Sequence, residues 1–305
     1  MNIKNRGEAN KCLLCGGPTR EQTTLTSKFL STRAWGGVIE WSDTNYCLEC
    51  GFTFHGRGLS TEEVKSYYKS YRDEKYFKDR KSCEPFYTRK VHDELEKGMR
   101  SKDRRLALSN FFSKYNVLID NINNLSILDY AGGTGRLIAD MPGNKYVFDV
   151  SGEQPAIGVE KLSSIDLNSK LFDLVVCAQM IEHATDPKGE AEYLYGLVKP
   201  GGYLYFEVPY DETWRDFSCS GKFRDNILAF AKKSSWFNIA LDIYGTAFRV
   251  KLKILPPFAF VPVREHLNYF TPESMFALGK AIGAIIINAS RVESLGTILL
   301  LKKPL

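Results

Sequence analysis

Long hydrophobic runs are missing from this sequence. Its most apolar stretch, Ile254–Val263, is interrupted by Pro256, Pro257 and Pro262. A membrane-spanning helix needs roughly 20 apolar residues, so no transmembrane segment is expected, although a peripheral membrane contact stays open. An apolar leader is missing too. Met1–Lys11 is polar and lacks the hydrophobic centre of a secretory signal. No charge of one sign dominates: 41 basic against 36 acidic residues leave a net +5, too small and too mixed an excess to point to nucleic acid. Repeats and low-complexity tracts are absent. Histidine is scarce, with four in 305 residues, so each can be weighed singly. What is present is the composition of a globular protein, 44% hydrophobic and 25% charged. The length suits one large domain with a small module, or two modest domains. Seven cysteines behind no leader point to a reducing compartment, the cytoplasm. There, metal binding explains paired cysteines better than disulfides do.

Four of the seven come in two C-x-x-C-G knuckles, Cys12-Leu13-Leu14-Cys15-Gly16 and Cys47-Leu48-Glu49-Cys50-Gly51. Each knuckle can put two thiolates on one ion, and the glycine permits the tight turn behind them. Four thiolates complete a tetrahedral site with no open position, so the expectation is one structural zinc on Cys12, Cys15, Cys47 and Cys50. The rival reading, two redox dithiols, lacks the βαβ surroundings that such pairs need. His55 lies close by but is superfluous to a four-sulfur site and reads as a surface residue. Cys83, Cys177 and Cys219 read as free thiols.

Three textures follow one another along the chain. Residues 1–58 hold the knuckles and no long helical pattern, and read as a zinc-ribbon-like module. Residues 59–118 read as a helical connector whose first helix starts at Ser60-Thr61-Glu62-Glu63, a capping hydroxyl followed by acids. Residues 119–305 alternate apolar strand-like runs with helical stretches, the pattern of an α/β protein with a doubly wound, mostly parallel sheet. The strand candidates are Ser126–Tyr130, Lys145–Val150, Phe172–Ala178, Gly202–Val208, Ala284–Val292 and Gly296–Lys302. The last two form an antiparallel hairpin. An aromatic-rich insertion, 211–268, breaks the rhythm and reads as a lid, a partner surface or a hydrophobic subdomain.

The run Leu128-Asp129-Tyr130-Ala131-Gly132-Gly133-Thr134-Gly135-Arg136-Leu137 follows a strand and is expected to open a helix. Such a loop brings backbone N–H groups close to a negative ligand group. Asp149 stands 20 residues beyond Asp129, an offset at which an acid can accept both hydroxyls of a ribose. A dinucleotide site competes. Aligning Gly133 and Gly135 with the first two glycines of G-x-G-x-x-G places Ile138 at the third, where that fingerprint wants a glycine or alanine.

Further landmarks lie downstream. Phe172-Asp173-Leu174-Val175-Val176 leads into Cys177-Ala178-Gln179-Met180-Ile181-Glu182-His183, then Asp186-Pro187. Lys199-Pro200-Gly201-Gly202 precedes the strand Tyr203-Leu204-Tyr205-Phe206. In this order and spacing, residues 125–210 resemble class I S-adenosylmethionine-dependent methyltransferases. The resemblance implies that Asp129, Gly132, Gly133 and Gly135 surround the methionyl part of the cofactor. It implies that Asp149 holds the ribose, that Ile165 and Asp166 contact adenine, and that Gln179 sits at the mouth of the site.

Methyl transfer needs an aligned acceptor and, where a proton must leave, a base, for which histidine is suited near neutral pH. His55 belongs to the cysteine module, and His92 reads as a solvated face of a mixed-charge helix. His183 follows the fourth strand. His266 stands in Arg264-Glu265-His266-Leu267-Asn268-Tyr269-Phe270, just before the helix start Thr271-Pro272-Glu273. The knuckles, the core and Glu265-His266…Tyr269-Phe270 together resemble bacterial sugar C-methyltransferases. Two features depart from that family: Val263 and Arg264 replace a tyrosine and a histidine, and the chain stops at the hairpin. The resemblance implies His266 as base, Glu265 as its orienting or acceptor-contacting partner and His183 as the rival. It implies a small-molecule substrate, a sugar or glycan precursor. A tyrosine after the module lines the family's sugar pocket, which makes Tyr67, Tyr68, Tyr71 and Tyr76 candidates, although packing accounts for most of them.

Two other functions compete. One is methylation of RNA or protein. From Lys11 to His55 the module carries only Lys11, Arg20, Lys28 and Arg33 as basic residues, too sparse for a dense phosphate-binding patch. No Asn/Asp-Pro-Pro-aromatic motif follows the fourth strand, which disfavours amino-group methylation. The other is a binding protein that kept the fold, against which the intact glycine loop and Asp149 stand.

Overall fold

The computed structural model describes residues 10–71, 73–99, 102–117, 125–150, 153–210, 214 and 221–305. Cys219, expected as a free thiol, lies outside them. In chain order the regular elements are β1 (Thr19–Leu25), α1 (Lys28–Ala34), β2 (Trp41–Cys47), β3 (Thr53–His55), α2 (Thr61–Tyr68), α3 (Glu74–Cys83), α4 (Arg89–Met99) and α5 (Lys102–Lys114). Then come β4 (Ser126–Tyr130), β5 (Asn144–Phe148), β6 (Val159–Lys161), α6 (Ser164–Asn168), β7 (Phe172–Ala178), α7 (Pro187–Gly196) and β8 (Val198–Val208). The chain closes with α8 (Lys222–Lys233), α9 (Ser235–Ala247), β9 (Asn268–Tyr269), α10 (Pro272–Ala281), β10 (Ile285–Val292) and β11 (Gly296–Lys302). No helix among the described residues is long and apolar enough to cross a membrane.

Two compact units result, residues 94–210 with 270–305 and residues 1–93 with 211–269. The first holds a seven-stranded sheet in the order β10-β11-β8-β7-β4-β5-β6. Its strands β6, β5, β4, β7 and β8 run parallel, and β11 and β10 close it antiparallel. This is the mostly parallel sheet and terminal hairpin that the sequence predicts. Strand β7 is buried on both faces from Leu174 on, with Phe172, Leu174, Val175, Val176 and Cys177 all inaccessible, hence its mostly apolar sequence, broken only by Asp173 near its start. Helix α5 buries Leu108, Phe111 and Phe112, spaced to share one helical face, in a cluster with Ile127, Leu174, Val176, Tyr205 and Leu300.

One expectation fails here. No continuous helix follows the glycine loop. From Ala131 to Met141 the chain runs through turns closed by three-residue hydrogen bonds, from Gly135 N–H to the Gly132 carbonyl (3.0 Å) and from Met141 N–H to that of Ile138 (2.9 Å). Gly135 is left-handed at φ 71°, which a right-handed helix cannot absorb, and Pro142 stops the segment.

The second unit departs from the expected boundaries. The segment 1–58 is not self-contained, and 211–268 is not a mere insertion in the sheet domain. Strands β1, β2, β3 and β9 form one antiparallel sheet in that order, so the last strand comes from the far end of the insertion. Leu25 and Ile39 share a core with Leu228, Ala231, Leu241 and Phe260. Phe29, Tyr67 and Tyr76 share another with Val263 and Leu267. The physical reason is packing: a segment of some sixty residues is marginal by itself, and α8, α9 and β9 complete its core and sheet. Helix α2 begins as expected, with a reciprocal capping box between Ser60 and Glu63.

Candidate functional site

The glycine loop begins where β4 ends. Asp129, the fourth residue of that strand, is buried, and neither carboxylate oxygen has a hydrogen-bond partner among the described residues. Burial pushes its pKa up to about 7, with Asp149 and Glu207 adding to the rise and Arg104 opposing it. A carboxylate left so costly without a partner suits a cationic ligand group. Gly132 is required beside it, because a Cβ there would stand 2.1 Å from Asp129 Cγ. Left-handed residues recur at every second position, Ala131 (φ 58°), Gly133 (φ 61°) and Gly135 (φ 71°). Backbone of this kind turns successive N–H groups toward one side and makes a concavity for negative groups. The segment after β4 is thus a turn-rich loop and not the N-terminus of a helix.

Asp149, one residue past β5, accepts a hydrogen bond from Gly133 N–H at 2.8 Å through one oxygen. The acid and the loop, separated in sequence, are thus joined. Ala131 N–H bonds the Phe148 carbonyl at 2.7 Å and fixes the same junction. Gln179 follows β7 in a left-handed conformation (φ 59°), a strained state for a residue other than glycine. Its N–H donates to the Glu207 carbonyl at 2.7 Å. Ile165 is largely exposed. Asp166 is the N3 residue of α6 and accepts from Ser163 Oγ at 2.6 Å in a capping box, a hydrogen bond that holds its carboxyl below the ordinary value. Its place in the sequence thus has a local structural cause.

Sequence reading missed a buried polar cluster in this unit. Glu207 on β8 is buried and takes Arg104 Nε at 3.1 Å, Tyr205 Oη at 3.0 Å and Gln179 Nε2 at 3.4 Å. Glu182 is buried as well, and burial pushes its pKa up to about 8. An acid inside the apolar run Tyr205-Phe206-Glu207-Val208 was the available signal. His183 lies in the short 3₁₀ turn Ile181–His183, with Nε2 3.8 Å from Glu182 Oε1.

In the other unit the four cysteines meet. Sγ–Sγ distances are 3.7 Å for Cys12–Cys50, 3.5 Å for Cys15–Cys47 and 3.6 Å for Cys15–Cys50. A tetrahedral zinc with thiolates at about 2.3 Å sets its sulfurs roughly 3.7 Å apart, so the donor set fits that ion. Backbone N–H groups of Leu14, Gly17 and Cys50 each point at a cysteine sulfur at 3.4 Å, bonds that favour thiolate.

Glu265 is half-buried, 3.7 Å from Arg80. Arg80 and Arg264 outweigh burial and hold its carboxyl well below the usual range. Arg80 also bonds Glu84 at 3.0 Å, and Arg264 pairs with Glu84 and Asp242. His266 is half-buried, its ring 6.4 Å from that of Tyr269.

Two histidines correct the sequence reading. His55 is fully buried on β3, Nδ1 3.0 Å from Thr44 Oγ1, its ring edge-on to Trp214 and Tyr269. It is covered because β9 pairs with β3. His92 is buried too, with Nδ1 2.7 Å from Tyr87 Oη and its ring against Phe77. Neither is a surface residue.

Comparison with known proteins gives one family over most of the chain. A family model described as a methyltransferase domain matches residues 102–287. Ubiquinone biosynthesis O-methyltransferase of Pectobacterium atrosepticum is 44% identical over 43 residues, 14% of this chain and 18% of that protein. The enzyme of the same name from Hydrogenovibrio crunogenus is 28% identical over 108 residues, 29% of this chain and 44% of that one. The chain thus spans less than half the length of either relative. Magnesium protoporphyrin IX methyltransferase from Synechocystis PCC 6803, solved with bound S-adenosylhomocysteine, is a structural neighbour. It has 13% identity and a TM-score of 0.44, and covers 80% of this chain and 100% of its own. A methyltransferase from Clostridium acetobutylicum gives 14% identity and a TM-score of 0.41 over 70% and 96%.

Proposed function

Because the chain belongs to the methyltransferase-domain family and is an S-adenosylmethionine-dependent methyltransferase, we propose that it methylates an oxygen or carbon of a small polar acceptor, a sugar or glycan precursor. The observation that carries the cofactor half is the junction of Gly133 with Asp149 beside the unpartnered, buried Asp129. Asp129 receives the ammonium of the methionyl part, the loop N–H groups its carboxylate, and Asp149 the ribose. Ile165 and Asp166 border the adenine, and Gln179 the mouth. The cofactor supplies a methyl group already activated on its sulfonium. The chain's own task is to hold the acceptor in line and take its proton. His266 is the proposed base, Glu265 its orienting partner and His183 the alternative. The sugar assignment is supported by the cysteine knuckles and the Glu265-His266…Tyr269-Phe270 stretch. An oxygen acceptor is further supported by the names of the curated relatives.

Transfer of labelled methyl to a panel of nucleotide-linked sugars, set against RNA and quinone precursors, tests the acceptor. Labelled sugar is the expected product, and label found only in RNA or quinone overturns the reading. For the cofactor half, Asp149→Ala should weaken S-adenosylmethionine binding by about tenfold to a hundredfold, the loss of hydrogen bonds to a charged group. The circular dichroism spectrum should stay unchanged. Equal affinity in titration calorimetry would sink the assignment.

We also propose one structural zinc per chain on Cys12, Cys15, Cys47 and Cys50. Elemental analysis of protein purified without chelator should return one equivalent. Cys47→Ser should lower that content and raise hydrogen exchange in β2 and β3 far more than in β7 and β8. A zinc-free preparation with those strands fully protected would refute the site.

A further inference from the structure

One face of the α8–α9 region is apolar and uncovered. Phe223, Phe230, Trp236, Leu252, Ile254 and Phe258 expose between 45% and 68% of their surface. They are not scattered. On α8 the buried residues Arg224, Leu228 and Ala231 mark the inner face, and Phe223 and Phe230, seven apart, share the adjoining outer stripe. Phe223 packs 5.6 Å from Phe258, and Phe230 packs 6.5 Å from Trp236. An exposed aromatic pair thus stands at each end of the outer stripe of α8.

Phe258 is held outward at a conformational cost. It is left-handed at φ 60°, as is Ala259 at φ 49°, and a bulky residue there is a genuine outlier. The buried Arg224 fixes it, with Nε bonded to the Phe258 carbonyl at 2.7 Å and the guanidinium 5.6 Å from the Phe260 ring. Folding spends strain and a buried arginine to present an aromatic ring to solvent.

Among the described residues, lysines outnumber acids around the strip. Lys222, Lys233, Lys251 and Lys253 are exposed, and Lys232 lies 5.4 Å from the half-exposed Trp41 ring. Of the acids between 221 and 264, Asp225 is exposed, and Asp242 is buried beside Arg264 at 3.7 Å. Aromatic residues rimmed by lysines, with almost no acid, match an interface that is apolar within and negative at its rim. A second copy of this chain would set lysine against lysine, which is unfavourable.

We propose that this face docks on an anionic lipid bilayer, with Phe223, Phe230, Trp236 and Phe258 entering the headgroup boundary and the lysines contacting lipid phosphates. Full-length protein is sedimented with vesicles of equal parts phosphatidylglycerol and phosphatidylcholine, and with phosphatidylcholine alone. Binding to the anionic vesicles is expected, weakening as salt is added. Lys233→Gln and Lys253→Gln should each lower that affinity about fivefold. Brominated acyl chains should quench tryptophan emission in the wild type, and Trp236→Phe, a mild change at an exposed position, should remove most of the quenching. The proposal is overturned if the protein stays in the supernatant at low salt, or if quenching persists in Trp236→Phe. It is also overturned if Trp236→Ala abolishes a dimer in solution while vesicles bind nothing.

Discussion

Replacing His266 with Asn should slow methyl transfer by about 10²–10⁴-fold, the usual cost of losing a general base, while S-adenosylmethionine binds as before. The expectation rests on chemistry and local electrostatics together. His266 follows Glu265, which Arg80 and Arg264 keep ionised inside the unit, so a fixed negative charge stands beside the imidazole in the chain. A base of this kind must be neutral to accept a proton, so turnover should fall on the acid side as the imidazole is protonated. That acidic limb should vanish in His266→Asn. Glu265→Gln should shift the limb toward lower pH, since removing a negative neighbour disfavours imidazolium, with kcat reduced more than cofactor affinity. Near-full turnover in His266→Asn with unchanged cofactor affinity would move the base elsewhere. His183→Asn is the next variant to measure.

Much of the sheet was legible because its strands carry their own signal. Ser126–Tyr130, Phe172–Ala178 and Gly296–Lys302 fall where the sequence puts them, because strands buried on both faces carry mostly apolar runs, interrupted here by Asp129 and Asp173. Strand β6, Val159-Glu160-Lys161, has three residues and one of them is exposed, too little pattern to read. Strand β1 alternates buried with exposed only at its end and has three Thr among its seven residues, so only the lack of helical periodicity was visible. The division into units escaped because it depends on Leu25 and Ile39 meeting Leu228 and Phe260, partners no local window contains. The candidate site divides along the same line. Asp129, the glycines and Asp149 were readable as a short spacing, while Glu207 meets Arg104 across 103 positions. His55 and His92 were misread for the same reason, since burial is decided by Tyr269 and by Phe77 with Tyr87, not by the residues beside them.

Asp129→Asn should produce two opposite effects: tighter folding of the ligand-free protein and a loss of about 10²–10³ in S-adenosylmethionine affinity. The first follows from proton linkage. In the folded protein Asp129 keeps its proton up to about pH 7, chiefly because it is buried, whereas in the unfolded chain it loses it near pH 4. Between those values the unfolded state binds fewer protons, so stability falls as pH rises. The loss is complete above pH 7 and of the order of 4 kcal/mol. Asn has no proton to lose, so the ligand-free variant should melt higher than wild type at pH 8 and alike at pH 4. The second effect has the other sign. A cationic ammonium beside Asp129 favours the carboxylate, so removing the charge discards a buried pair, worth about 3–5 kcal/mol when one partner is taken away. Binding to the wild type should therefore release a proton below pH 7, with affinity rising up to about tenfold per pH unit toward 7 and flattening above it. Calorimetry in buffers of different ionisation enthalpy reads that proton directly. The Asn variant should show neither the proton release nor the slope. A variant that binds as tightly as wild type at pH 8 would place the ammonium away from Asp129 and leave that carboxylate to hold the glycine loop alone.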